Sequence, residues 1–181
     1  MRNLLTNIFK LMRIVFIRSI IALSLFAFSF LAKSQTIINL NGVSIETQKN
    51  SLEQLFSLIN DVQPSVYFVK QEQNLVEEKY PTKIVVDGGL LNLVTSATFN
   101  KTEVQLIEVR INNEEDFNLK IDLNSFQKHF KSLKYITFIL TYDYCLAKHQ
   151  QSNCVEKKIE EILQKYPNNN IQIAYLLSVN D

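Results

Sequence analysis

Hydrophobic and polar positions alternate along this chain with two different periods, and the switches between them mark its elements. In "NSLEQLFSLINDVQP", Leu52, Leu55, Phe56, Ile59 and Val62 recur at the three-and-four spacing that gathers them on one face of a helix. Ser51 and Gln54 stand at capping-box spacing near its start, and Pro64 closes it. "NSFQKHFKSL" sets Phe126, Phe130 and Leu133 at i, i+4 and i+7, which predicts a short helix. "NCVEKKIEEILQKYP" gives the clearest helix: Val155, Ile159, Ile162, Leu163 and Tyr166 point inward, and Asn153 with Glu156 supplies a capping pair. Between these lie apolar, β-branched runs, "SVYFVK", "KIVVDGG", "EVQLIEVRINN", "KYITFILTY" and "IQIAYLLSV", each predicted as a strand. "LLNLVTSATF" fits either period and is read as a helix. Upstream, "TIINLNGVSIE" places two β-rich runs around Asn41-Gly42, the pair best suited to the turn of a tight hairpin.

Strand and helix alternate through most of this length, which predicts an α/β fold. The expected architecture is one domain over residues 35–181, an N-terminal β-hairpin followed by alternating helices and strands in a mainly parallel or mixed sheet. Glycine occurs only three times, too rarely for a turn-dense all-β fold.

Two segments resemble the leucine-rich-repeat family, whose L-x-x-L-x-L opens a short strand and is followed by an asparagine. In residues 104–112 the pattern falls on Val104, Ile107, Val109 and Asn112; in residues 133–140 it falls on Leu133, Ile136 and Phe138. Thr141 stands where the second copy would carry asparagine, and the spacing between strands is irregular. The resemblance implies a short solenoid-like arrangement, a curved sheet used for protein binding.

The first residues change the picture of the rest. Arg2, Lys10, Arg13 and Arg18 precede an apolar stretch from Ile20 to Leu31, and small residues follow at Ala32 and Ser34. That order predicts a secretory signal over residues 1–34, cleaved between Ser34 and Gln35. Arg18 and Lys33 hold the apolar run short of a membrane span, and a start at Met12 would make the signal more compact still. Cleavage removes five of the 19 basic residues and none of the 18 acidic ones, leaving a net charge of about −4. Nucleic acid and anionic membrane surfaces are poor partners for such a domain. Periplasmic or extracellular localisation follows, with no stable membrane insertion once the signal is gone.

Export bears directly on the two cysteines. Cys145 and Cys154 read as one disulfide in an oxidising compartment. A metal site of Cys145, His149 and Cys154 would lack a fourth local ligand. A redox pair would rest on Cys154 at the first turn of a helix, where the dipole favours thiolate. A second candidate is the recurrence of Asp and Asn at strand ends: Asp87, Asn112, Asp143 and Asn180. In a parallel sheet those ends share one edge, where Asp87 and Asp143 could hold a hard cation or act as acid and base. Turn residues that bond their own backbone have the same appearance. Asp87-Gly88-Gly89 hints at a phosphate loop but lacks the third glycine and the lysine, and His129 reads as a helix-surface residue. No catalytic signature or cofactor motif is present. The expectation is an exported, non-enzymatic binding domain whose partner is a protein or an envelope component. The alternative is an extracytoplasmic hydrolase working at the Asp-lined edge, with or without a divalent cation.

Overall fold

The apolar, β-branched runs become strands of one parallel sheet in the computed structural model, which describes residues 36–41, 49–70, 80–147, 153–163 and 170–178. The strands are β1 (Ile38–Asn39), β2 (Ser65–Phe68), β3 (Lys83–Asp87), β4 (Leu106–Ile111), β5 (Tyr135–Leu140) and β6 (Gln172–Leu177). Across the sheet they run β1-β6-β5-β4-β3-β2, so neighbours follow chain order from β2 to β6 and β1 returns beside β6. The fold is α/β, as the alternation implied. Both faces of the sheet are covered, which is why the central strands read as continuous apolar runs.

Register sorts the side chains into rows. Ile84, Ile107, Ile136 and Ile173 lie level with one another, as do Val86, Val109, Phe138 and Tyr175, and both rows sit in the larger core. The segments with the repeat-like pattern are β4 and β5, and Ile107 and Val109 pair with Ile136 and Phe138.

Five helices are described: α1 (Lys49–Asn60), α2 (Leu91–Ser96), α3 (Leu123–His129), α4 (Tyr144–Ala147) and α5 (Cys154–Ile162). Single 3-10 turns cover Gly88–Leu90 and Glu114–Phe117. Leu91, Val94, Leu123, Phe126, Val155 and Ile159 bring α2, α3 and α5 onto the larger core. On the opposite face Leu52, Leu55 and Leu58 of α1 pack on Leu106, Tyr135 and Ala174. Full burial of each such leucine stabilises the fold by about 1.5–3 kcal/mol.

Several local expectations fail for identifiable reasons. Helix α1 begins at Lys49, so Ser51 lies inside it, and the Gln54 side chain donates to Gln105 (2.9 Å) and accepts from Lys134 (3.2 Å) rather than capping the helix. The helix ends at Asn60, which leaves Val62 past the last turn and 102% exposed; Leu58 is buried instead. Asn153 adopts a left-handed φ of 74° and makes no side-chain cap bond. Its supposed partner Glu156 accepts a hydrogen bond from the Tyr175 hydroxyl at 2.5 Å. The helix read into "LLNLVTSATF" covers Leu91–Ser96 and stops short of Ala97 to Phe99.

The first arm of the expected hairpin is β1, which pairs in parallel with β6; the second arm, from Gly42 on, lies outside the described residues. Asn41 docks on β6 like one more peptide unit, its amide donating to Leu177 O (2.8 Å) and accepting from Leu177 N (2.7 Å). Tyr166 also lies outside the described residues, as do residues 1–34 and the Ser34–Gln35 junction. Among the described residues no helix is long and apolar enough to cross a membrane.

Candidate functional site

The carboxyl ends of four strands are tied together by one chain of polar contacts. Asp87, closing β3, accepts from the Lys70 backbone N–H (2.8 Å) and from Asn112 Nδ2 (3.0 Å). Asn112, just past β4, in turn accepts from Thr141 Oγ1 (2.9 Å) beyond β5. The strand-end recurrence thus joins Asp87 to Asn112. Asp143 is half-buried on the turn into α4, and Asn180 lies outside the described residues. Among the described residues no group of three His, Cys, Asp or Glu side chains is placed to hold a metal ion.

The hub of this edge is Asp116, which the sequence reading did not single out. It sits in the 3-10 turn after β4, with 0% of its side chain exposed. Its carboxylate accepts from Lys70 Nζ (2.9 Å), from the Asn112 N–H (2.9 Å) and from the Gly89 N–H (3.3 Å). Asn113 Oδ1 accepts from the Asp116 N–H (3.1 Å) and fixes the turn. A Cβ on Gly88 would stand 2.6 Å from Asp116 O and 2.9 Å from Asp116 Cβ, so only glycine admits this approach. The Gly-Gly pair that hinted at a phosphate loop therefore cradles the chain's own carboxylate. Asp116, by hydrogen bond and then by charge, raises the Lys70 ammonium above its ordinary pKa, with Asp87 and Glu115 adding to it and desolvation opposing.

A second set of charges lies on the α1 side of the sheet. Glu108 pairs with Lys83 (2.8 Å) and with Arg110 Nε (3.1 Å). Lys83 also donates to Ile59 O (3.2 Å), which ties α1 to the strands. With one side chain accepting from both cations, the buried carboxylate keeps charged partners on two sides.

Above these groups, at the ends of β2, β3 and β4, opens a cleft of about 460 Å³, lined among others by Tyr67, Lys70, Asp87, Arg110, Asn112 and Asn113. A second cleft of about 560 Å³ lies on the helical side, where Asn92 and Thr95 of α2 line it together with Ser125 and Phe126 of α3 and its N-cap Asp122. Its walls mix small polar and apolar groups with the charged side chains of Glu115, Lys120 and Asp122.

Cys145, in α4, and Cys154, the first residue of α5, form a disulfide with their Cα atoms 5.9 Å apart. Both sulfurs are thereby consumed, which removes them as thiolate ligands or as a free thiol pair in this state. His149 falls in the closed loop, outside the described residues. His129 is exposed in the last turn of α3. Comparison of the chain with protein-family models, with curated proteins and with solved structures gives no match.

Proposed function

We propose that this chain is an exported, non-enzymatic binding domain that presents the carboxyl edge of its parallel sheet to a protein or envelope component. The observation that carries this reading is the cleft at the ends of β2 to β4, whose ionisable walls are fixed by one another through buried Asp116 and Glu108. Such walls are pre-organised for recognition. Ligands of parallel α/β sheets commonly lie at this edge. The disulfide is compatible with an oxidising compartment, in line with the signal read in residues 1–34.

The competing reading makes Asp87 a catalytic carboxylate working with Asp143 and a divalent cation. Both oxygens of Asp87 accept bonds from neighbouring groups, Lys70 N–H and Asn112 Nδ2, which supports a brace rather than a base.

The test uses the disulfide-bonded mature domain, immobilised and exposed to envelope and culture-supernatant fractions of its native host. A component retained by the wild type and lost with Tyr67→Ala plus Arg110→Ala supports binding at this edge. Hydrolysis of ester, phosphoester or peptide substrates that needs Mg²⁺ or Ca²⁺ and disappears in Asp87→Asn would overturn it. Export is checked by intact mass: the exported protein begins at or near Gln35.

A further inference from the structure

Charge in the β2–β4 cleft is arranged in depth. Lys70 and Arg110 keep 48% and 42% of their side-chain surface in solvent, whereas Asp116 and Glu108, which hold them, keep 0% and 7%. Lys83, the third cation, keeps 11% and is spent inside on Glu108. Asp87 and Glu115 also act on Lys70, so three positive groups face four negative ones; Asp116, Glu108 and Asp87 are buried beneath the two exposed heads, and Glu115 is exposed. A solute entering the cleft meets an ammonium and a guanidinium first.

Both heads are held in place and both retain donors. The Lys70 ammonium has three N–H bonds and gives one to Asp116. Arg110 commits Nε to Glu108, which leaves the outer edge of the guanidinium with its two terminal nitrogens, the fork that matches an oxyanion. Asn113 uses its oxygen on the Asp116 N–H, so its amide nitrogen remains as a donor, and Tyr67 adds a phenol. A lining of fixed, outward donors suits oxygens that carry negative charge. Asp87, its lining carboxylate, has both oxygens engaged and so has little to offer a metal cation, and the cleft would gain little from a neutral sugar in return for the hydration its two charged heads give up.

We propose that this cleft binds a small organic anion through a carboxylate or phosphate group, with Lys70 and Arg110 as its charge partners. The assignment rests on the preceding reading that the carboxyl edge is the binding surface, and it names the chemistry of what binds there.

The experiment is an NMR titration of the ¹⁵N-labelled, disulfide-bonded mature domain with inorganic phosphate and, separately, with succinate, at constant ionic strength set by chloride. The expected result is saturable shifts at residues 67–70 and 110–113 with at least one probe. Saturation by phosphate alone assigns a phosphoryl ligand, and saturation by succinate alone a carboxylate. Arg110→Gln should weaken the binding by about tenfold or more, and Arg110→Lys, which keeps the charge and loses the fork, by less. Because Lys70 braces Asp116, Lys70→Gln is interpreted only beside an unchanged spectrum elsewhere in the protein, and the Arg110 variants decide independently. Shifts that track chloride, or that fail to saturate by about 50 mM, well above millimolar Kd values, overturn the proposal. If a host component is still retained by the wild type and lost with the cleft variants in that case, the binding edge stands and the anion assignment alone falls.

Discussion

Asp116 organises the edge of the sheet because three donors from three segments converge on a carboxylate that water does not reach. Asparagine has nearly the same shape but turns an N–H2 toward donors on one side. The two backbone donors sit on different oxygens, so Asp116→Asn should lose one of those bonds outright and the charge that strengthens the rest, about 2–4 kcal/mol in urea unfolding. Gly88→Ala forces a methyl group against Asp116 and should cost about 1–3 kcal/mol. Gly89→Ala, whose nearest contact would be 3.4 Å away at Lys70 Cε, should cost clearly less, and the contrast between the two is the check. Asp87 and Asn112 could be expected at this edge from the sequence because topology alone brings strand ends together. Asp116 could not, since "NNEED" has the composition of a solvated loop. Its one local sign is Asn113 three residues ahead, the spacing at which an Asn side chain caps the N–H of a turn.

The helices and strands themselves were well encoded, because each buries a stripe long enough for its period to show. Their ends were not. Val62 continues the helical spacing yet lies beyond Asn60, in a stretch where Pro64 biases the preceding residue away from helical backbone. Asn153 and Glu156 have cap spacing, but the carboxylate is drawn to a tyrosine on another element. At Glu156 a tertiary partner wins over the local cap, and no local window contains it; at Val62 the reason, Pro64, stands two residues away. The join between α4 and α5 gives a prediction of its own. The disulfide closes a ring of about ten residues, so reduction should remove roughly 2.5–3 kcal/mol in the chain-entropy account and leave the domain folded at room temperature. Cys145→Ala with Cys154→Ala should match reduction in thermal melts. Titration of the untreated, denatured protein should find no free thiol, and two per chain would refute the bond.

For the molecule as a whole, alkaline pH is the informative axis. Tyr175 is raised by burial and further by its bond to Glu156, Tyr135 is raised by burial, and Lys70 is raised by Asp116. In each case the folded protein keeps a proton that the unfolded chain releases near pH 10, so the associated stability is present below that pH and is lost as pH rises beyond it. Lys101 is lowered by burial and acts in the opposite sense below its ordinary value. Melting temperature should fall from about pH 10 upward. Tyr175→Phe should flatten that limb while costing about 1 kcal/mol at pH 8 through the lost hydrogen bond.

The pairing of β1 with β6 joins Asn41 to Leu177, 136 positions further along the chain. During synthesis β2 to β5 can add to one another in the order in which they emerge, each beside its immediate predecessor. Among the described strands, the first has its partner only once β6 has been made. A ribosome-bound chain thus carries β1 without β6 through most of translation, and the sheet closes only once β6 has emerged. A stop codon just ahead of Ile171 would release a polypeptide with β1 stranded and the edge of β5 bare, a template for strand-to-strand aggregation.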